Sequence, residues 1–594
     1  MIRRIELLRI SVRLLFCALV ATVTIAHSAE ESVASVTDVR ILIDVSGSMK
    51  QNDPQNLRAP ALRLLSGLLP LGARAGIWIF SEKASNLVAV NNVSEEWKAL
   101  ARKSADKIHS QGLYTDIESA LKAASEDWVG ANKNSQRAVI LLTDGLVDIS
   151  KDPLLSSTSR TRILDELLVA LRKKGVTIYT IALSDNADQE LLKLLAQGSG
   201  GWYEKAESAD KLERLFLHMF ERVAKPETLP LIKNQVKVDD AIDEVTFLVF
   251  SNRDADPVRL IAPDDTVIEA AKVPASVRWH HESNYDLITV KDPKAGSWKL
   301  DAAADPDNRA LIVTNLKLAV TELPSAITLS DKLTFEAQLK QDSKTLDKAE
   351  LLRFVRMRLS HTAQKESLKT NIAVFDDGFG ADHAKRDGIF TGQIKDLLQP
   401  DTYEFVLSVD GTTFQRERRQ TVNVFAAVAQ ASINPSADNP AGFELVVRPH
   451  AALINIDTLV VDVTLSGPKN VKRNIVMTKK NGSEWRSHID GMVQPGTYKI
   501  DVNLVGTRST NGEPVSDWLA PLTFEMKPPA AAHPPPGPAI KAAVVATPTA
   551  QPINWLHTSL KVIALNAIII TCGFFGYRRW RHRTTNPAEE LAHD

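Results

Sequence analysis

Oxygen-bearing side chains occur at three separate places in the first quarter of the chain. Asp44, Ser46 and Ser48 alternate directly after an apolar run, Thr115 lies in the segment GLYTD, and Asp144 lies in LLTDG. Carboxylate and hydroxyl oxygens are hard ligands, which favour Mg²⁺, Mn²⁺ or Ca²⁺ over Zn²⁺. Two carboxylates and three hydroxyls leave the coordination of such an ion incomplete. An acidic group of another protein would complete it.

The surrounding residues, 36–225, predict the sheet that positions these side chains. The segment at 39–49 predicts a buried strand that ends in polar turn residues, and continuous β-branched apolar runs predict further buried strands at 76–80, 137–145 and 176–183. Helical periodicity separates them at 61–71, 117–128, 164–174 and 210–223. This order is typical of an α/β doubly wound parallel sheet covered on both faces. Ligands of such sheets bind beyond the carboxyl ends of the strands, where the oxygen-bearing residues lie.

These motifs resemble the von Willebrand factor A (vWA) domain family and its metal-ion-dependent adhesion site (MIDAS). The family pattern is Asp-x-Ser-x-Ser, then a separate Thr, then a separate Asp. The matching residues are Asp44, Ser46, Ser48, Thr115 and Asp144. The resemblance implies that the three hydroxyls bind the metal directly and that the two carboxylates act partly through water. It also implies a divalent ion, Mg²⁺ before Mn²⁺ or Ca²⁺, and a protein ligand that offers an acidic residue.

The part of the chain that follows residue 225 contains an internal sequence repeat. QPDTYEFVLSVDGT at 399–412 and QPGTYKIDVNLVGT at 494–507 are in register, and PKAGSWKLDA at 293–302 is a weaker third copy. In each copy a Pro/Gly turn leads into an alternating strand that carries an aromatic residue. The spacing predicts three β-sandwich, immunoglobulin-like domains. We place them at 226–316, 317–426 and 427–526.

A loop in the second predicted sandwich carries four aspartates among glycines. They are Asp376, Asp377, Asp382 and Asp387. One interpretation is that these carboxylates bind Ca²⁺ together. The other is that they belong to two Asp-Gly turns. The loop resembles the Asp-Gly-rich loop of certain exported β-sandwiches, including those of the calcium-activated chloride channel regulator family, which also carry a vWA domain. The resemblance covers this loop alone, so both readings stay open.

Both ends of the chain carry targeting signals. Residues 1–29 have the charged, apolar and small-residue order of a signal peptide. A Pro-rich linker at 527–552 precedes an apolar stretch at 559–577, which at 1.5 Å per residue is long enough for a transmembrane helix. The tail at 578–594 begins with RRWRHR, and basic residues remain cytoplasmic. The sequence therefore predicts a single-pass membrane protein with its bulk outside.

Cysteine usage favours a bacterial location. The chain has only two cysteines, Cys17 and Cys572, and both lie in the apolar end segments. A thiol-free exterior suits a bacterial envelope better than an animal extracellular domain. A helical span then predicts the inner membrane, with the bulk in the periplasm and the tail in the cytoplasm.

Composition and motifs also exclude classes of function. The chain has 71 Lys+Arg against 72 Asp+Glu, so its net charge of −1 argues against a nucleic-acid binder. His280-His281-Glu282 lacks the second histidine of a zinc protease helix, and no phosphate-binding loop or nucleophile elbow occurs. We therefore expect no enzyme activity. The remaining hypotheses are metal-dependent protein binding or adhesion, and a scaffold or regulatory subunit of an envelope complex whose vWA metal is structural. The sequence does not predict the ligand or the oligomeric state.

Overall fold

The computed structural model describes residues 36–526 apart from short internal gaps. These gaps are residues 131–134, 252–255, 342–343, 348–351, 367, 437–441, 481–483, 491–493 and 510–511. The signal peptide, linker, transmembrane helix and tail predicted at 1–29, 527–552, 559–577 and 578–594 all lie outside the described residues. Of the helices in the described part, none has both the length and the apolar character needed to cross a bilayer.

A six-stranded sheet forms the centre of the N-terminal domain. Its strands are β1 (Val36–Asp44), β2 (Arg74–Phe80), β3 (Ala84–Asn92), β4 (Ser135–Thr143), β5 (Val176–Ala182) and β6 (Tyr203–Lys205). The spatial order is β3-β2-β1-β4-β5-β6, and every pair is parallel except β2 with β3. The three residues between β2 and β3 are too few for a parallel crossover, so the edge strand returns as an antiparallel hairpin.

Helices cover both faces of this sheet, as the sequence predicts. They are α1 (Met49–Asn52), α2 (Arg58–Leu68), α3 (Glu95–Ser104), α4 (Ile117–Ala124), α5 (Pro153–Arg162), α6 (Leu168–Lys173), α7 (Gln189–Gly198) and α8 (Leu212–Ala224). Short 3₁₀ turns at Ala105–Lys107 and Ala209–Lys211 and a π turn at Ile163–Leu167 complete the set. Ile41 and Ile43 enter the apolar core on one face, and Leu42 enters the core on the other. Because successive strand residues point to opposite faces, a strand that is buried twice reads as a continuous apolar run.

The residues after α8 form β-strands. They are β7 (Glu227–Leu229), β8 (Gln235–Val238), β9 (Ile242–Phe250), β10 (Arg259–Ile261), β11 (Val267–Glu269), β12 (Val277–His281), β13 (Tyr285–Lys291), β14 (Gly296–Asp301), β15 (Arg309–Thr314), β16 (Leu316–Val320), β17 (Ala326–Thr328), β18 (Leu333–Gln341), β19 (Lys344–Thr345), β20 (Arg356–Ala363), β21 (Lys369–Ile372), β22 (Val374–Phe375), β23 (Ile389–Ile394), β24 (Asp401–Asp410), β25 (Gln415–Phe425), β26 (Ala429–Pro435), β27 (Phe443–Pro449), β28 (Val460–Gly467), β29 (Val471–Ile475), β30 (Thr478–Lys480), β31 (Glu484–Ile489), β32 (Gly496–Thr507), β33 (Pro514–Trp518) and β34 (Leu522–Met526). The β-rich character predicted for this region is confirmed. The immunoglobulin-like topology and the domain boundaries stay predictions.

One sheet continues through the boundary predicted at residue 316. It runs β12-β13-β9-β15-β7-β25-β24-β20-β21, with β17 paired to β25. Thr228 of β7 pairs with Glu417 of β25, and its Oγ1 donates to the Glu417 carbonyl at 2.9 Å. A buried ion pair between Arg416 and Asp239, 2.6 Å long, joins the same two regions. The spacing of the sequence repeat places these regions in separate units, and β7, with only three residues, gives no strand signal of its own.

The remaining strands form four further sheets. One is β11-β10-β14-β8, and another is β16-β18-β23-β22 with β19 on β18. Near the end of the described chain, β26-β27-β31-β30 and β29-β28-β32-β33, with β34 on β32, contribute to one shared apolar core.

The N-terminal domain packs against the first β-rich region through α2 and α8. The Tyr285 hydroxyl donates to the Pro60 carbonyl at 3.1 Å, and Leu287 lies beside Gly67. An apolar core is shared between α2, α8 and five residues of the β-strands, which are Leu248, Phe250, Tyr285, Leu287 and Leu311. An extended apolar core therefore joins the two regions.

Candidate metal centre

Two neighbouring strands bring the predicted aspartates to one edge of the sheet. Asp44 is the last residue of β1, and Asp144 directly follows β4. The two strands are adjacent and parallel, with Ile43 paired to Leu142. The carboxyl ends of the strands therefore hold both side chains, as the α/β topology requires.

A network of short hydrogen bonds links the aspartates to the two serines. The Ser46 amide donates to Asp44 Oδ1 at 2.8 Å, and Thr143 Oγ1 donates to Asp44 Oδ2 at 2.5 Å. Ser48 Oγ donates to Asp144 Oδ1 at 2.7 Å, and the hydroxyls of Ser46 and Ser48 are 3.0 Å apart. The structure thus gathers four of the five predicted ligands in one network.

Backbone contacts bring Thr115 to the same place. Its amide donates to the Asp148 carbonyl at 2.7 Å, and the Asp148 amide returns a bond to the Thr115 carbonyl at 3.2 Å. Asp148 follows β4 at a short distance, so this pairing holds Thr115 beside the loop of Asp144. A Cβ atom placed on Gly145 would lie 3.2 Å from Thr115 Oγ1. The fifth predicted ligand therefore borders the Asp144 loop.

Gly112 explains how the Thr115 segment approaches the first loop so closely. Its amide donates to the Val45 carbonyl at 3.0 Å. A Cβ on Gly112 would lie 2.2 Å from Ser81 Cβ, which no side chain could tolerate without a shift of the backbone. Asp116 caps α4 by accepting from the Ser119 amide at 2.8 Å.

The electrostatics of the site favour a cation. Asp44 and Asp144 are both fully buried. The pKa of Asp44 is raised to about 6, because burial and the charge of Asp144 together outweigh the hydrogen bonds from Thr143 and Ser46, which lower it. The hydrogen bonds described above come from neutral donors, so a bound cation would stabilise both ionised carboxylates. The all-oxygen donor set fits Mg²⁺, Mn²⁺ or Ca²⁺.

The structure adds two residues to the site that the sequence reasoning missed. Asn52 Nδ2 donates to Asp144 Oδ2 at 2.7 Å, and Thr143 holds Asp44 as described above. Asn52 stands four residues after Ser48 on α1, the spacing that places two helix residues on one face. That spacing is a signal in the sequence, but only the position of β4 shows what this face meets.

A buried arginine supports the first loop from below. Arg58 Nη1 donates to the Asp44 carbonyl at 2.6 Å, and its Nε pairs with Asp53 Oδ2 at 2.7 Å. Its Nη2 donates to Ser110 Oγ at 2.7 Å. Arg58 therefore connects the loop after β1, the start of α2 and the segment that leads to Thr115.

The second candidate site has a different arrangement. Asp376 accepts hydrogen bonds from the amides of Arg386, Asp387 and Gly388 at 2.5, 3.2 and 3.2 Å. Asp377 accepts from the Phe379 amide at 3.0 Å.

The other two aspartates of this loop also bind backbone amides. Asp382 accepts from Gly378 at 2.5 Å, and Asp387 accepts from Ile389 at 2.9 Å. In the described ranges, no group of three or more His, Cys, Asp or Glu side chains is arranged to hold a metal ion. Such hydrogen bonds from aspartate side chains to nearby backbone amides are typical of Asp-Gly turns. Calcium binding at this loop stays a prediction.

Comparison with known proteins supports the assignment of the first domain. A family profile described as von Willebrand factor type A domain matches residues 38–217. The N-terminal part of this chain is a vWA domain. Domains of this family mediate protein–protein interaction or adhesion in general. A search of curated proteins found no match.

Solved structures that the chain resembles include other vWA proteins. A von Willebrand factor type A protein from Catenulispora acidiphila is 14% identical, over 52% of this chain and 64% of that one, with a TM-score of 0.27. Proximal thread matrix protein 1 from the mussel byssus, with a zinc-occupied MIDAS motif, is 19% identical over 35% and 50%, with a TM-score of 0.26. The ArnB paralog VWA2 from Sulfolobus acidocaldarius is 14% identical over 53% and 64%, with a TM-score of 0.25. The chain spans less than two thirds of each of these proteins.

Proposed function

We propose that this protein is an exported, membrane-anchored vWA protein that mediates divalent-metal-dependent protein–protein interaction or adhesion in the cell envelope. The observation that carries the proposal is the convergence of one oxygen cluster at the end of the vWA sheet, in which every member except Ser48 is buried. Its members are Asp44, Ser46, Ser48, Thr115 and Asp144. No lysine, histidine or cysteine belongs to this set, which supports binding rather than catalysis as its role.

A divalent ion at this cluster would supply Lewis acidity toward a carboxylate of the partner. Ser46, Ser48 and Thr115 would hold it directly, while Asp44 and Asp144 would balance its charge. Five side chains leave room for one further hard ligand, and an aspartate or glutamate of a partner provides such a ligand. We propose Mg²⁺ as the resident ion, with Mn²⁺ or Ca²⁺ as substitutes.

The location and the absence of enzyme activity are part of the same proposal. The signal peptide and the apolar segment at 559–577 would place the protein in a bacterial inner membrane, with its bulk in the periplasm. The second candidate function is a scaffold or regulatory subunit whose vWA metal only stabilises the fold. The packing of α2 and α8 against the β-rich region supports this second function, because it joins the vWA domain to an extensive β-rich surface.

Metal titration of the full-length chain tests the site itself. We expect calorimetry to show one Mg²⁺ or Mn²⁺ bound per chain, and Asp144→Asn to weaken the binding at least tenfold because one charge of the site is lost. Asp148→Asn is the matched control, since it removes a charge from an exposed residue of the same loop. Equal affinity in the wild type and Asp144→Asn would contradict the assignment.

Capture of partners tests the function. Full-length protein is incubated with envelope extract in Mg²⁺ or in EDTA, beside Asp144→Asn and Asp148→Asn. The proposal predicts a partner retained by the wild type and Asp148→Asn only when metal is present. Equal capture under all conditions, with metal binding intact, would support the scaffold function instead.

A further inference from the structure

Four exposed leucines lie on the segments that carry the metal cluster or directly follow it, and the function proposed above does not use them. Leu113, Leu146, Leu154 and Leu155 are 80%, 60%, 70% and 49% exposed. We call these four residues the apolar rim. Exposed apolar side chains that stand alone are common, but a group of them around one site indicates an interaction surface.

The chain itself holds two residues of the rim next to the cluster. Leu113 precedes Thr115 by two residues, and Leu146 follows Asp144 by two residues. At about 3.5 Å per residue, each Cα lies within about 7 Å of the Cα of the corresponding site residue. The Thr115–Asp148 backbone pairing places these two segments side by side.

The start of α5, which carries the other two leucines, is joined to the Asp144 loop. The Ile149 amide donates to Ser156 Oγ at 3.1 Å, which joins the Asp144 loop to the first turn of α5. Asp152 caps this helix by accepting from the Leu154 amide at 2.9 Å. Leu154 and Leu155 therefore remain exposed in an ordered helical turn and not in an unstructured loop.

We propose that the apolar rim is the second half of the protein-binding site, and that its occupant is a partner segment in which one acidic residue is flanked by bulky apolar side chains. This inference rests on the proposed function. Apolar flanks on both sides would exclude water from the contact between the carboxylate and the metal, and the Coulomb attraction is stronger in the lower dielectric.

A carboxylate beside Leu113 favours an occupant with a single acidic residue. Glu82 Oε2 accepts from the Leu113 amide at 3.1 Å, so a carboxylate already lies at this side of the site. A second acidic residue of the partner would be repelled there. The surface thus fits an apolar–acidic–apolar segment better than an acidic run.

Immobilised synthetic peptides test the inference on the full-length chain. Three short peptides with the centres Leu-Glu-Leu, Ser-Glu-Ser and Leu-Gln-Leu are compared in Mg²⁺ and in EDTA. We expect metal-dependent binding of the first, at least about tenfold weaker binding of the second, and no metal-dependent binding of the third. Failure of the Leu-Glu-Leu peptide to bind better than Ser-Glu-Ser overturns the proposal.

Two variants separate the rim from the metal. Leu113→Ser/Leu146→Ser is expected to weaken Leu-Glu-Leu binding at least about tenfold while leaving Mg²⁺ affinity and thermal stability unchanged. Leu71→Ser/Leu100→Ser is the matched control, because these leucines of the same domain are 54% and 52% exposed away from the cluster. If both double variants bind the peptide equally well, the proposed role of the apolar rim is wrong.

The same experiment tells failure of the rim from failure of the proposed function. The Leu-Glu-Leu and Ser-Glu-Ser peptides could bind equally well, with binding lost in EDTA and in Asp144→Asn. That result would support metal-dependent recognition and contradict a role for the apolar rim. Peptide binding that survives both EDTA and Asp144→Asn removes metal-dependent recognition as well.

Discussion

Asp144 receives a hydrogen bond at each of its carboxylate oxygens, from Ser48 on one and from Asn52 on the other. A carboxylate held at both oxygens has a fixed orientation before any ion arrives. Ligand orientation of this kind typically changes metal affinity by 10–100-fold when it is removed. Asn52 is thus a positioning residue of the site, although it belongs to no part of the vWA pattern.

At the residue scale, we predict that Asn52→Ala lowers Mg²⁺ affinity about tenfold or more without loss of the fold. The reason is that Asp144 Oδ2 loses its donor while all five predicted ligands remain. Calorimetric titration measures the affinity, and thermal unfolding checks the fold. Asn86→Ala, at an exposed position of β3, is the control. The same affinity in all three proteins would show that Asn52 has no part in orienting Asp144.

At the scale of elements, each copy of the sequence repeat forms the same local structure, in which a buried aromatic side chain at the start of a strand donates a hydrogen bond to the preceding turn. We call this arrangement the corner. The Tyr403 hydroxyl donates to the Gln399 carbonyl at 3.1 Å, and the Tyr498 hydroxyl donates to the Gln494 carbonyl at 3.0 Å. In the weaker copy, Trp298 Nε1 donates to the Lys294 carbonyl at 2.9 Å. In each case the aromatic ring is buried, and its polar end binds the turn four residues upstream.

The corner predicts the effect of removing a single hydroxyl. Tyr403→Phe and Tyr498→Phe each keep the buried ring, but they leave the turn carbonyl without this donor, which we expect to cost about 1 kcal/mol of unfolding free energy. Urea unfolding of the full-length chain measures it, with an unchanged slope as the sign that the folded state is otherwise the same. No loss of stability in either variant would show that solvent satisfies the turn equally well.

At the scale of the whole described region, charged residues connect the vWA domain to the β-rich region. Arg214 of α8 pairs with Asp305 at 2.7 Å, and Arg309 pairs with Glu221 of α8 at 2.6 Å. His218, also on α8, lies 3.7 Å from Asp307. These contacts fix the last helix of the vWA domain to the segment before β15.

His218 is the group in this interface that makes stability depend on pH. Burial by itself would lower its pKa, but the carboxylates of Asp307 and Glu204, each 3.7 Å from the imidazole ring, outweigh burial and raise the pKa to about 9, while Arg222 opposes them. A histidine whose pKa is raised on folding stabilises the folded state fully below its unfolded value near 6.5. The stabilisation is lost as the pH rises through about 9.

We therefore predict that unfolding free energy falls between about pH 6.5 and pH 9 in the wild type, and that His218→Gln flattens this part of the profile. Denaturant unfolding across that pH range measures the effect. His383→Gln, at an exposed histidine of the Asp-Gly-rich loop, is the control and is expected to follow the wild type. A slope that His218→Gln leaves unchanged would assign the pH dependence to another group.

The amino-acid sequence by itself determined the α/β character of the first domain and the chemistry of its candidate site. Strands buried on both faces read as continuous apolar runs, and hard oxygen ligands are visible as residue types. Local motifs also predicted the β-rich character of the remainder, because the Pro/Gly turn and the aromatic strand recur within short segments. Short-range patterns of this kind do not depend on which elements meet in space.

Only the tertiary structure decided which elements meet. Asn52 and Arg58 join the site because α1 and α2 pack beside β1 and β4, and no local pattern specifies that contact. Likewise, β7 has three residues, too few to show alternation, yet it pairs with β25 and joins two regions that the sequence separates. Leu113 and Leu146 follow the same rule, since the two segments that carry them become neighbours only through the pairing of Thr115 with Asp148.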